Sequence, residues 1–122
     1  MRLNDVEFSG QPPLDGYASG GFRIGGYAHR GGLLILPGRI AEWTFATPLT
    51  ADCFARALAA SDDIDLLLIG MGADIAPLPK SARAALEEAG IAPEVMATPA
   101  ACRTFNVLIA EERRVGAALI PI

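Results

Sequence analysis

Residues 65 to 70, Asp-Leu-Leu-Leu-Ile-Gly, constrain the fold of this chain more than any other stretch. The run has the length of a strand and is apolar at successive positions, so it has no polar face to turn to water. Such a strand must be covered on both sides, and its surroundings supply covers at helical spacing. Downstream, Pro79 serves as a first helical residue, and Ala82, Ala85, Leu86 and Ala89 fall at i, i+3, i+4 and i+7 before Gly90, which ends the helix in a left-handed conformation. Upstream, Thr50 is placed to cap a helix over residues 51 to 60, with Leu49 and Phe54 in the two positions of a hydrophobic staple.

Past Gly90 the pattern repeats. Glu94-Val95-Met96 reads as a short strand, and Thr98-Pro99 opens a third helix, with Thr98 as N-cap and Pro99 in the first turn. Ala101, Cys102, Phe105, Leu108 and Ile109 form its apolar stripe, Arg103 and Arg114 lie opposite, and Thr104 and Asn106 lie on the borders. Glu112 falls near the centre of that stripe at the negative end of the helix dipole, so the helix must exit there or the carboxylate must be paired. Val115 to Ile120 closes the chain as a strand.

The amino-terminal half reads differently. The first twenty residues are rich in turn formers and predict an extended arm with one short strand near Val6 to Phe8. Alternation from Phe22 to Ala28, a turn at His29-Arg30-Gly31-Gly32, the run Leu33 to Leu36, the break at Pro37-Gly38 and a strand from Arg39 to Phe45 predict a three-strand antiparallel meander. Together these elements imply an α/β fold: a single three-layer β/β/α domain over residues 1–122, with a mixed sheet and an antiparallel meander.

Composition narrows the function. A net charge of −4 with scattered basic residues gives no footprint for phosphate backbones, so nucleic acid is not an expected partner. No apolar run approaches the ~20 residues that cross a bilayer, and the start of the chain lacks the apolar core of a targeting segment, so a cytoplasmic location is expected. The single histidine, His29, rules out a three-histidine metal site and reads as a solvated turn residue. Cys53 and Cys102, both inside predicted helices with apolar neighbours, read as buried reduced thiols rather than nucleophiles. No catalytic, metal or cofactor set is complete, so the expectation is a binding module with no cofactor.

Gly70-Met71-Gly72 is the nearest approach to a ligand motif. It follows an apolar strand and faces a helix N-terminus, where an open α/β sheet binds anions, but Ile75 stands where a third glycine would complete a nucleotide fingerprint. Gly70, Gly72 and Arg103 can be read as the grip of an enzyme or sensor on a small anionic metabolite. Asn106 admits two readings, one facing a groove and one hydrogen-bonded to neighbouring backbone. An apolar composition and exposed strand edges also favour a homodimer.

The segment Met96-Ala97-Thr98-Pro99-Ala100-Ala101-Cys102-Arg103-Thr104-Phe105-Asn106-Val107-Leu108, followed by Glu111, Arg113 and Val115 and preceded by Gly70, Gly72 and Leu78-Pro79, resembles the Mth-type domain family. That family includes a mitochondrial complex I assembly factor and an adipogenesis-associated protein. Met71 departs from it, standing where many members carry threonine. The resemblance implies a three-layer β/β/α fold and a protein partner, with respiratory complex assembly as the role by analogy.

Overall fold

The computed structural model describes residues 6–122. The targeting-segment reading rests mainly on Met1 to Asp5, which lie outside the described residues. Among the described residues, nine strands and three helices follow in the order β1 (Val6–Glu7), β2 (Leu14–Ala18), β3 (Gly21–Ile24), β4 (Tyr27–Arg30), β5 (Leu33–Leu36), β6 (Arg39–Glu42), α1 (Ala55–Ala59), β7 (Leu66–Gly70), α2 (Lys80–Glu88), β8 (Ala92–Met96), α3 (Thr98–Ala110) and β9 (Val115–Leu119). A 3₁₀ turn at Ala51–Phe54 leads into α1. The strands form a six-stranded sheet in the order β1-β6-β5-β9-β7-β8 and a separate three-stranded ribbon β2-β3-β4.

The larger sheet is mixed. β7 pairs parallel with β8 and β9, whereas β5 pairs antiparallel with β6 and β9. Its two faces bury different residues because side chains alternate along each strand. Leu33, Ile35, Leu68, Ala117 and Leu119 pack with Ala101, Cys102 and Phe105 of α3 and with Leu14, Phe22 and Ile24 of the ribbon. Leu34, Leu36, Leu67, Ile69 and Ala118 pack on the opposite side with Phe54, Ala57, Ala82 and Leu86. The expected three layers are therefore present: the ribbon and α3, the six-stranded sheet, and the pair α1 and α2.

The meander is built from other strands than the pattern predicts. The chain reverses at Gly25-Gly26, not at His29 to Gly32, and Ile24 pairs directly with Tyr27. Both glycines have positive φ, 56° and 84°, the requirement of a two-residue hairpin turn whose twist matches its strands. β2 completes the ribbon from within the arm, where an irregularity in register between Leu14 and Gly16 hides its alternation. β5 and β6 form the expected hairpin around Pro37-Gly38, but within the larger sheet.

Helix ends agree more closely with the sequence. Leu49 and Phe54 are both buried in one cluster, as a staple requires, and the Thr50 N–H donates to Cys53 Sγ at 3.5 Å. Pro79 precedes α2 by one residue. Gly90 has φ 83°; its N–H donates to Glu87 O at 3.0 Å and that of Ile91 to Leu86 O at 2.9 Å, the paired bonds of a Schellman motif. α3 ends in the same way, with Glu112 N–H to Ile109 O at 3.0 Å and Arg113 N–H to Leu108 O at 3.0 Å. Here the left-handed residue is Glu112, with φ 60° and an exposed side chain. Its place in the apolar stripe is resolved by the helix exit.

That conformation costs a side-chain-bearing residue about 1–2 kcal/mol. Glu112→Gly should therefore raise unfolding free energy by about 1 kcal/mol in urea melts, with part of the gain from removing a carboxylate at the negative end of α3. An unchanged or lower midpoint would contradict this reading of the α3 terminus.

Candidate functional site

The carboxyl ends of β7 and β9 meet the start of α3, and Thr98 stands at the junction. Its side chain is fully buried. Thr98 Oγ1 accepts from Gly72 N–H at 2.9 Å and donates to Ile120 O at 2.7 Å, while Thr98 N–H donates to Gly72 O at 2.8 Å. One hydroxyl thus ties the loop after β7 to the end of β9. The expected N-cap bond from Thr98 into its own helix is not made; Ala97 is the N-cap residue, and the hydroxyl serves two other elements.

Gly70 belongs to the same junction for a steric reason. A Cβ on Gly70 would lie 2.7 Å from Thr98 Oγ1 and 3.0 Å from Thr98 Cα, so only glycine lets α3 approach β7 this closely. The Gly70 carbonyl accepts from Ile120 N–H at 2.9 Å, and Met71 N–H donates to Met96 O at 2.9 Å. The Met71 and Gly72 amides, which would grip an anion here, already have partners within the protein. Gly70 and Gly72 are together, but they converge on Thr98.

Arg103 and Asn106 lie further along α3. Arg103 lies five positions beyond Thr98, which turns it roughly 140° around the helix and about 7.5 Å along it, away from the glycine junction. Arg103 is exposed. Asn106 makes the second of the two expected arrangements: Oδ1 accepts from Leu14 N–H at 2.8 Å and Nδ2 donates to Leu14 O at 2.9 Å. The carboxamide reproduces a strand's paired bonds and fastens β2 to α3.

The thiols differ from one another. Burial pushes Cys102 up to about 11, with Arg103 acting weakly in the other direction. Such a thiol is a core residue. Cys53 is only half-buried, a correction to the reading of both as buried; burial is the largest single influence and opposes its ionisation, but the hydrogen bonds it makes with the Thr50 backbone and hydroxyl and the Ala46 backbone together outweigh it, and the thiol lies below its ordinary value. His29 also differs from expectation. It is in β4, 2% exposed, with Nε2 donating to Gly32 O at 2.8 Å and Nδ1 buried with no partner among the described residues. The early hairpin turn places it on the inward row beside Phe22, so the displaced turn accounts for its burial.

A cavity of about 670 Å³ is lined by residues of the ribbon, among them Tyr17, Arg23, His29 and Arg30, together with Glu42. None of these five was singled out as a ligand-binding residue from the sequence, because their convergence depends on the register of three strands. Among the described residues, no group of three or more His, Cys, Asp or Glu is placed to hold a metal, and no helix is long and apolar enough to cross a membrane.

Two changes test the junction and the clamp. Thr98→Val keeps the shape but leaves Gly72 N–H and Ile120 O without the hydroxyl, and should lower unfolding free energy by about 2–4 kcal/mol. Asn106→Asp keeps an acceptor for Leu14 N–H but sets a carboxylate oxygen against Leu14 O; a loss of about 1–3 kcal/mol and faster amide exchange across β2 should follow. Unaltered exchange at Leu14 in the second variant would remove the clamp from the account.

Residues 14–120 match the family described as "Protein of unknown function (DUF498/DUF598)". The human NADH dehydrogenase [ubiquinone] 1 alpha subcomplex assembly factor 3 is 36% identical over 110 residues, covering 88% of this chain and 60% of its own length. The chain therefore spans less than two-thirds of that relative. A Bartonella henselae structure described as an outer membrane protein superposes with a TM-score of 0.83 at 42% identity, covering 93% of this chain and 98% of that one. A Bordetella pertussis protein described as a Mth938-like domain superposes with a TM-score of 0.79 at 25% identity, covering 99% and 92%.

Proposed function

Because this chain belongs to the family described as protein of unknown function (DUF498/DUF598) and shares the Mth938-like fold, we propose that it is a non-catalytic binding module that helps a multi-subunit complex to assemble. The observation that carries the reading is the 36% identity with an assembly factor for NADH dehydrogenase over 88% of this chain. By that analogy the partner is a protein of a membrane-associated respiratory complex. The chain works from the cytoplasm, nucleic acid is not a partner, and self-association as a homodimer accompanies the role.

The chemistry of the side chains supports binding over turnover. A thiol held near 11 is almost wholly protonated at neutral pH and is a poor nucleophile. The Gly72 amide is engaged by Thr98. Of the four residues that the sequence singles out, Arg103 has the exposed side chain and is assigned to partner contact. Gly70, Gly72 and Asn106 contribute by holding the start of α3 and the ribbon in place beneath it.

Affinity purification of the tagged chain from its native cell under gentle cross-linking tests the proposal. NADH dehydrogenase subunits should be recovered reproducibly, and Arg103→Glu should reduce their yield several-fold while leaving the fold intact by circular dichroism. Repeated recovery of no defined partner by the wild-type chain would sink it.

A further inference from the structure

The ribbon turns one face to the core and leaves the other open. Pairing sets Gly16, Arg23 and Ala28 in one row across the three strands and Ala18, Gly21 and Arg30 in the next. Phe22 and His29 alternate to the inner side and are buried. Of the six outer positions, only the two arginines carry side chains longer than a methyl group. The result is a recess with a glycine and alanine floor, and its volume of about 670 Å³ is that of a small-molecule site.

The two arginines occupy diagonal positions, since Arg23 faces Ala28 and Arg30 lies two residues beyond it. Diagonal neighbours on a sheet face are about 7–8 Å apart, close enough for two long side chains to meet on one ligand and for their like charges to repel without one. Among the described residues no ion pair involves either arginine. Glu42 is the one carboxylate in the lining. The positive recess also stands against a chain of net charge −4, so it is not a by-product of a basic composition.

His29 and Phe22 contribute backbone to the lining, their side chains turning to the core side. Guanidinium groups are suited to hold an anion on the outer face because their planar fork matches an oxyanion in two parallel bonds.

We infer that the outer face of the ribbon binds a small organic anion through a carboxylate or phosphoryl group held between Arg23 and Arg30. This site is separate from the contact assigned to Arg103 and does not depend on an assembly role. Titrating the isotope-labelled full chain with succinate and, separately, with inorganic phosphate tests it by nuclear magnetic resonance. Amide shifts should be confined to the ribbon around Gly16, Ala18, Gly21 and Ala28.

Arg23→Gln and Arg30→Gln should each weaken binding about tenfold, the scale of one lost charge-assisted hydrogen bond. Lysine at either position should weaken it less, and Lys80→Gln on α2 should leave it unchanged. Both arginines are exposed, and an unaltered spectrum outside the ribbon establishes that the variants fold. Response to succinate alone assigns a carboxylate ligand, and response to phosphate alone assigns a phosphoryl one. The inference is overturned if neither probe shifts the ribbon, or if the shifts persist in the Arg23→Gln/Arg30→Gln double variant.

Discussion

β9 is the strand on which the rest of the architecture depends, because it joins two half-sheets that otherwise share no pairing. It meets β5 antiparallel on one side and β7 parallel on the other. All five of its residues, Val-Gly-Ala-Ala-Leu, are buried. The middle three are small, and Gly116 has little room for more: a Cβ there would lie 3.0 Å from Ile35 O and 3.3 Å from Leu67 Cδ1. Ala117 on one face and Ala118 on the other let the layers above and below settle closely onto β9, since interiors are packed at the density of organic crystals.

The position of α3 follows from that closure. Its stripe of Ala101, Cys102 and Phe105 lies on the face that β9 completes, and Thr98 locks its first turn to the ends of both β7 and β9. Asn106 then carries the constraint outward to β2. The ribbon is therefore attached to the larger sheet through a helix as well as through its own apolar face. A surface on α3 and a recess on the ribbon are held in fixed relation by four hydrogen bonds from two side chains.

The sequence made much of this legible, for reasons that differ between elements. Asp65 to Gly70 could be recognised as a central strand because its composition allows no exposed face, and α2 because its small and apolar residues repeat at helical spacing and stop at Gly90. The ribbon was less legible. Ile24 pairs with Tyr27, so the inward row shifts by one position across the two-residue turn, from Phe22 and Ile24 to Tyr27 and His29; Gly25 and Gly26 have no side chains to mark that shift, and the run from Phe22 to Ala28 reads as one unbroken alternation. His29 was misplaced as a consequence, and the row containing Arg23 and the row containing Arg30 had no basis for being set side by side. The family resemblance pointed to the assembly analogy but not to this recess.

What the sequence determined by itself was the set of elements that must bury apolar faces, and hence the three layers, along with helix ends such as Gly90 whose chemistry is local. What only the tertiary structure decided was the use of polar groups whose partners lie far along the chain. Thr98 has the local chemistry of an N-cap, yet its hydroxyl serves Gly72 and Ile120; Asn106 pairs with Leu14 across 92 positions. Hydrophobic periodicity is written into a short window, whereas the partner of a buried hydrogen-bonding group is fixed by whichever element packing brings within about 3 Å of it.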